Sequence, residues 1–170
     1  MSEQIYFEDY PDFKPDYTPV EMLSKGIFGK SYFNCRELRD AGFKWFNWVN
    51  PQFLRDADKH IRHSRSYMVS QENHLNNHFK VACGSTFEQW EEKGWLFDCD
   101  PYGWYNWYIN FYYGRRNECD QKQIQRWKSF KLRHGNRMLK MCEPHEIDKS
   151  LKTRQNLLHW AIDSTKLKKS

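Results

Sequence analysis

The chain has 170 residues, enough to bury one sizeable core and too few for two ordinary domains. Its apolar weight sits in rings: aromatics reach 18% while mean hydropathy is −1.00, and no run approaches the ~18 apolar residues of a membrane span. Net charge is +5 but unevenly placed: residues 1–113 hold 12 Lys/Arg against 16 Asp/Glu, and residues 114–170 hold 15 against 6. Such asymmetry points either to a polyanionic partner or to a solvated basic surface.

The opening residues lack the basic and apolar regions of a secretory leader, so a cytoplasmic or nucleoid/nuclear protein is expected, not a secreted one. Cysteines 35, 83, 99, 119 and 142 form an odd set without CxxC, which reads as reduced thiols. His60, His63, His74 and His78 have chelating spacings but no neighbouring cysteine ligands, so no metal is expected. No GxGxxG, P-loop, GxSxG or HExxH occurs, and no cofactor is expected either.

Residues 1–17 are acidic and aromatic, with Pro11 and Pro15, and read as an extended arm packed through Tyr6, Phe7 and Phe13. In TPVEML, Thr18 and Glu21 have capping-box spacing, Pro19 suits the first helical position, and Gly26 stops the helix. The Gly-punctuated turn GIFGKSYF follows, where Lys30 is either an anion contact or an ordinary surface lysine. A short helix is expected at 35–40, then the cluster FKWFNW, then a helix over 52–63. Residues 64–80 read as a polar surface loop, and Thr86 with Gln89 opens another helix, FEQWEEK.

DPYGWYNWYINFYYGRR follows. Asp100 suits an N-cap, Pro101 the first turn and Gly114 the C′ position, so a helix over about 101–113 is predicted. Apolar side chains surround almost the whole cylinder, and a helix apolar all round is buried. A mainly α fold is therefore expected, with one compact helical domain over 18–164 built around this helix. Its polar strip carries Asn106 and Asn110, which either bond to nearby backbone or line a polar cavity.

Beyond Arg115 and Arg116, Asp120 and Gln123 have capping-box spacing and open a helix near 121. A helical wheel gathers Ile124, Trp127, Phe130, His134, Met138 and Met141 on one stripe. Lys122, Arg126, Arg133, Arg137 and Lys140 fall on a narrower adjoining stripe, where mutual repulsion suits a polyanion's arrival. Gly135 threatens to bend this helix. His134 reads either as a core histidine or as a group at the mouth of a site. In SLKTRQNLLHWAIDS an amphipathic helix is expected, capped by Ser150 or Thr153, with Arg154 and Gln155 in an anion-favouring first turn. Residues 165–170 form a basic tail.

Taken together, TPVEMLSKGIFGKSYF, EEKGW, DPYGWYNWYINFYYGRR, DQKQIQRW and TRQNLLHWAIDS resemble a family of small proteins from phages, bacteria and fungi. Its pattern combines TPxEML, GxFxGKY, DPxGWxxWYxxxYxGRR and RQxxLLxWA. The resemblance covers most of residues 18–164 and implies one compact domain, but it brings no reaction. It puts Lys30, Arg115, Arg116, Asp120, Arg126, Arg154 and Gln155 on motif positions. This chain departs from the family in having Tyr102 and Asn110 where relatives often have Arg, and Ser150 where they often have Cys.

Three function classes follow. The first is a nucleic-acid-binding protein, DNA-directed, in which Arg115, Arg116, Arg154, Gln155 and the cationic stripe hold phosphates. The second is an enzyme acting on a nucleic acid, base or nucleotide, with Asn106, Asn110 and Lys30 in its pocket and Asp120 or His134 as acid–base group. The third is a protein-interaction module using the acidic arm or the basic face.

Overall fold

The computed structural model describes residues 3–30, 32, 48–60, 74–83 and 100–169. Among these the regular structure is helical, without strands: α1 (Pro19–Lys25), α2 (Pro51–His60), α3 (Trp104–Tyr112), α4 (Asp120–Met141) and α5 (Leu151–Leu158), with short 3-10 turns between and after them. The expected helix at 35–40, the cluster preceding Trp48, residues 61–73 and the capping pair at 86 and 89 lie outside the described residues.

Every ring of α3 except that of Tyr112 is buried, so the polar tips of the buried ones must find partners inside the protein. Those tips terminate on different segments. Tyr105 donates its hydroxyl to the Pro19 carbonyl and Tyr108 to that of Tyr17, both at 2.6 Å. The Trp104 indole N–H reaches the Gln123 carbonyl at 3.2 Å, and that of Trp107 reaches Asp120 Oδ1 at 2.8 Å. Around this hub, α1 packs on α2 and α3, while α4 packs on α3 and α5.

The ends of α3 follow the sequence unequally. At the C-terminus Gly114 takes φ 107, its N–H bonding to Phe111 O and that of Arg115 to Asn110 O, a Schellman closure. The start is three residues later than expected, with Gly103 at the N-cap in place of Asp100. Gly103 has no side chain to cap with, and the Tyr32 hydroxyl accepts from the Asn106 N–H at 3.2 Å instead. Asp100 is fully buried and serves another purpose, described below.

The other boundaries are local. Thr18 and Glu21 form the reciprocal capping box of α1, at 3.1 and 3.2 Å. Gly135 does not interrupt α4, which runs 22 residues, about 33 Å. Gly135 is buried under Leu167, whose methyls lie 3.4 and 3.5 Å from where a Cβ would stand, an ordinary packing distance. The apolar stripe also shifts: Leu139 is buried while Met141 is exposed. Asp120 heads α4 without closing the expected box with Gln123, because its Oδ2 turns back to the Asn117 N–H at 2.8 Å. Neither Ser150 nor Thr153 caps α5, since Ser150 occupies the N-cap in a left-handed conformation, φ 54, with no capping bond.

The N-terminal arm is part of the core. Phe13 is fully buried, meeting Trp127 at 5.0 Å and Trp107, Phe111 and Tyr108 at 5.7–5.8 Å, whereas Tyr6 is exposed. The polar stretch 74–80 is also tied down. Asn77, 2% exposed, accepts from the Gly29 N–H at 2.7 Å and donates to Val81 O at 2.9 Å. Gly26 holds φ +103 beside this segment, and a Cβ there would stand 2.3 Å from Asn76 O. Gly26→Ala is therefore expected to cost about 1–3 kcal/mol in urea unfolding, combining backbone strain with a clash against main chain.

Candidate functional site

Between α3, α4 and α5 opens a cleft of about 1290 Å³. Because α4 is unbroken, side chains recurring at helical spacing keep one phase, and Lys122, Arg126, Arg133 and Arg137 all line it. Lys152 adds a cation from α5, and Glu118 is the one acidic side chain in the lining among the described residues. Lys140, the last position of the stripe, is exposed but does not line the cleft.

The floor is a row of rings leading outward from the core, stacked pair on pair except where Trp160 tilts 34° from Trp104. Tyr108 and Trp104 have centroids 5.1 Å apart, Trp104 and Trp160 4.9 Å, Trp160 and Phe130 4.6 Å, and Phe130 and His134 4.1 Å. His134 ends the row, half-buried at the cleft. Its pKa is lowered by burial first and by Arg133 and Arg137 next, so at neutral pH the ring is uncharged. His134 is thus packed on Phe130 and lines the cleft.

Arg126 lies along this floor, its guanidinium 5.5 Å from the Trp160 ring centre and its Nη1 donating to Gln123 Oε1 at 2.8 Å. Burial pulls its pKa down to about 10, which leaves it cationic at neutral pH. Gln123 is fully buried, and its Nε2 has no hydrogen-bond partner among the described residues.

His159, which sequence reasoning passed over, lines the inner end of the cleft. Its Nε2 accepts from the Phe28 N–H at 3.2 Å and from Gln155 Nε2 at 3.0 Å. The Gln155 amide cannot be reversed, because its oxygen accepts from the Phe79 N–H and its nitrogen donates to Gly26 O. With two donors aimed at Nε2, the proton sits on Nδ1, 3.9 Å from Cys83 Sγ. Complete burial lowers the pKa of His159 to about 3. The signal in the sequence is a lone histidine inside the apolar run LLHWA, which looks like any core position.

Several expected phosphate contacts are committed elsewhere. Arg115 grips the buried Asp100 with both terminal nitrogens, at 2.8 and 2.5 Å, and Asp100 also accepts from Asn110 Nδ2 at 3.1 Å. This ion pair ties the entry of α3 to its exit. Arg116 holds Asp9 of the arm at 2.6 Å, donates to Phe111 O at 2.8 Å and lies 3.7 Å over the Phe111 ring. Arg154 is fully buried, so a phosphate cannot reach it. Gln155 is equally buried and joins three segments through its amide.

The pocket and acid–base candidates divide in the same way. Asn106 accepts from the Tyr102 N–H at 3.3 Å and donates to Trp48 O at 2.9 Å. Asn110 accepts from the Asn50 N–H at 2.9 Å and donates to the same Trp48 carbonyl at 2.7 Å. Both therefore fasten α3 to the segment before α2, and neither lines the cleft. Asp120 is 1% exposed, its two oxygens accepting from Trp107 and Asn117, which makes it an anchor in place of an acid–base group. Lys30 closes the 3-10 turn that begins with Phe28, and its side chain lies outside the described residues.

Among the described residues, no three His, Cys, Asp or Glu side chains gather as metal ligands, and no helix is long and apolar enough to cross a membrane. Compared with known proteins, the chain matches no family model, no curated protein and no solved structure.

Proposed function

We propose that this is a nucleic-acid-binding protein, DNA-directed, that holds its ligand in the cleft beside α4. One observation carries the reading: four of the five cations on the α4 stripe line the same cleft as a row of stacked aromatic rings. Cations one turn apart repel by a few tenths of a kcal/mol per pair, and a polyanion converts that repulsion into attraction. Rings at the base of a basic groove add stacking, which is how nucleic-acid grooves gain affinity without reading sequence. The cleft volume of about 1290 Å³ is also above the ~300–1,000 Å³ of ordinary small-ligand pockets, which favours a polymer. Phosphate binding belongs to Lys122, Arg126, Arg133, Arg137 and Lys152 on this reading, and Arg115, Arg116 and Arg154 leave the list.

Binding of a fluorescent DNA strand across a salt series tests it. Five cleft cations at ~0.7 released counterions each predict a slope of about −3 to −4 in log K against log salt. In an Arg133→Ala/Arg137→Ala variant with unchanged circular dichroism, the slope should become shallower by about 1.4. Salt-indifferent binding, or a double variant that binds like the parent, would sink the reading and turn attention to protein partners.

A further inference from the structure

The ring row has an unfinished end. From Tyr108 to His134 each ring packs on the next with centroid spacings of 4.1–5.1 Å, and the outer pairs Trp160–Phe130 and Phe130–His134 are stacked. Phe130 covers His134, and no other described ring stacks on it. Arg133 and Arg137 lie one residue before it and three after, which on a helix sets both on one flank of the imidazole, one turn apart at about 6 Å along the axis. Both arginines are exposed, and neither forms an ion pair among the described residues.

We propose that a base of a single strand stacks on the outward face of His134 as the next ring of this row, while Arg133 and Arg137 hold the phosphates on either side of that nucleotide. The inference rests on the cleft being the nucleic-acid site, and it names the form of ligand the cleft takes. A duplex offers ring edges in its grooves and keeps its base faces covered by neighbours, so a ring face at the end of a row is useful only to an unstacked base. Two cations one helical turn apart beside one ring face match successive phosphates along a single strand, with the base between them on the ring. The underlying rings, from Phe130 inward, hold His134 in place, so the platform is built before the ligand arrives.

The test compares two oligonucleotides of equal length and charge, one of thymidines and one of abasic sugar phosphates, by fluorescence anisotropy at fixed salt and across a salt series. Parent, His134→Ala and His134→Phe proteins are measured, with near-ultraviolet circular dichroism to verify packing. The thymidine strand should bind His134→Ala about 5- to 100-fold more weakly than the parent. His134→Phe should recover most of that loss, since the face is kept and the ring nitrogens are not needed. The abasic strand should bind all three proteins alike, near the level of His134→Ala with thymidine, and with the same salt slope.

Equal affinity of the parent for both strands, or no loss in His134→Ala, overturns the stacking platform while an intact salt slope leaves the electrostatic cleft standing. Tighter binding of a duplex than of the thymidine strand overturns the single-strand assignment in the same way. Absence of salt-dependent binding by either strand brings down the cleft reading and this inference together.

Discussion

Arg154→Ala is expected to lose about 3–5 kcal/mol of folding stability, a large part of the ~5–15 kcal/mol of an ordinary domain. A guanidinium has five N–H donors, and here five oxygens meet them. Nε donates to Lys149 O at 2.8 Å, Nη1 to Pro144 O at 3.1 Å and Ser164 Oγ at 2.9 Å, and Nη2 to Glu143 O at 3.1 Å and Glu146 O at 2.9 Å. The segment joining α4 to α5 thus folds around one side chain, and truncation would leave its carbonyls without donors and a cavity between them. At roughly 2–4 °C per kcal/mol for a chain of this size, the midpoint of thermal unfolding should fall by about 6–20 °C. Arg154→Lys should recover less than half of the loss, because an ammonium has three donors at one point and cannot serve five dispersed oxygens. A lysine variant as stable as the parent would show that charge, not the fork, is what this position needs.

Acid should weaken the fold through His159. In the folded protein its pKa is lowered to about 3, while an unfolded histidine titrates near 6.5. Between these values the unfolded chain binds the extra proton, so stability is fully present above pH ~6.5 and drains away as pH falls toward about 3. This one group accounts for about 2 kcal/mol lost at pH 5, approaching ~1.4 kcal/mol for each further unit. His78 and His134, also lowered but only partly buried, act in the same direction with smaller weight. Asp16 opposes them at the acid end, since burial raises its carboxyl. Urea unfolding at pH 7.5, 6 and 5 reads the slope, and His159→Gln should flatten it, because an amide oxygen can still accept from Phe28 and Gln155 but cannot take a proton. If the variant keeps the parent's slope, the protons are going elsewhere.

What the sequence revealed divides by distance along the chain. The capping box of Thr18 and Glu21, the closure at Gly114 and the shared phase of Lys122, Arg126, Arg133 and Arg137 depend on residues within a few turns, and the helical period alone determines them. Asp100 misled because a good N-cap is also a good buried carboxylate. What decided its role was Arg115, which returns from the far end of α3. Asn106 and Asn110 were legible as a polar strip, but the Trp48 carbonyl that satisfies both comes from a segment with no local tie to them. Gly135 was read as a threat to the helix on propensity alone, whereas the hydrogen-bonded turns on both sides carry α4 through it. Arginines near a helix start look alike in sequence, and only burial separates the scaffold arginine at 154 from the cleft arginines of α4.

The hub arrangement of α3 has a consequence for how the protein is made. Phe7 and Phe13 emerge from the ribosome early, yet the rings that enclose them lie beyond residue 100, in α3 and α4. Asp16 waits longer still, since its N–H bonds to Ala161 O at 2.7 Å and its carboxylate to the Asp163 N–H at 2.8 Å. The arm is therefore made before the surface that receives it, and contacts this distant in sequence slow the closing step of folding. Until it docks, a nascent chain would carry a bare aromatic tether and, far along the sequence, an open socket, the pair of surfaces that a chaperone, or a neighbouring copy, meets.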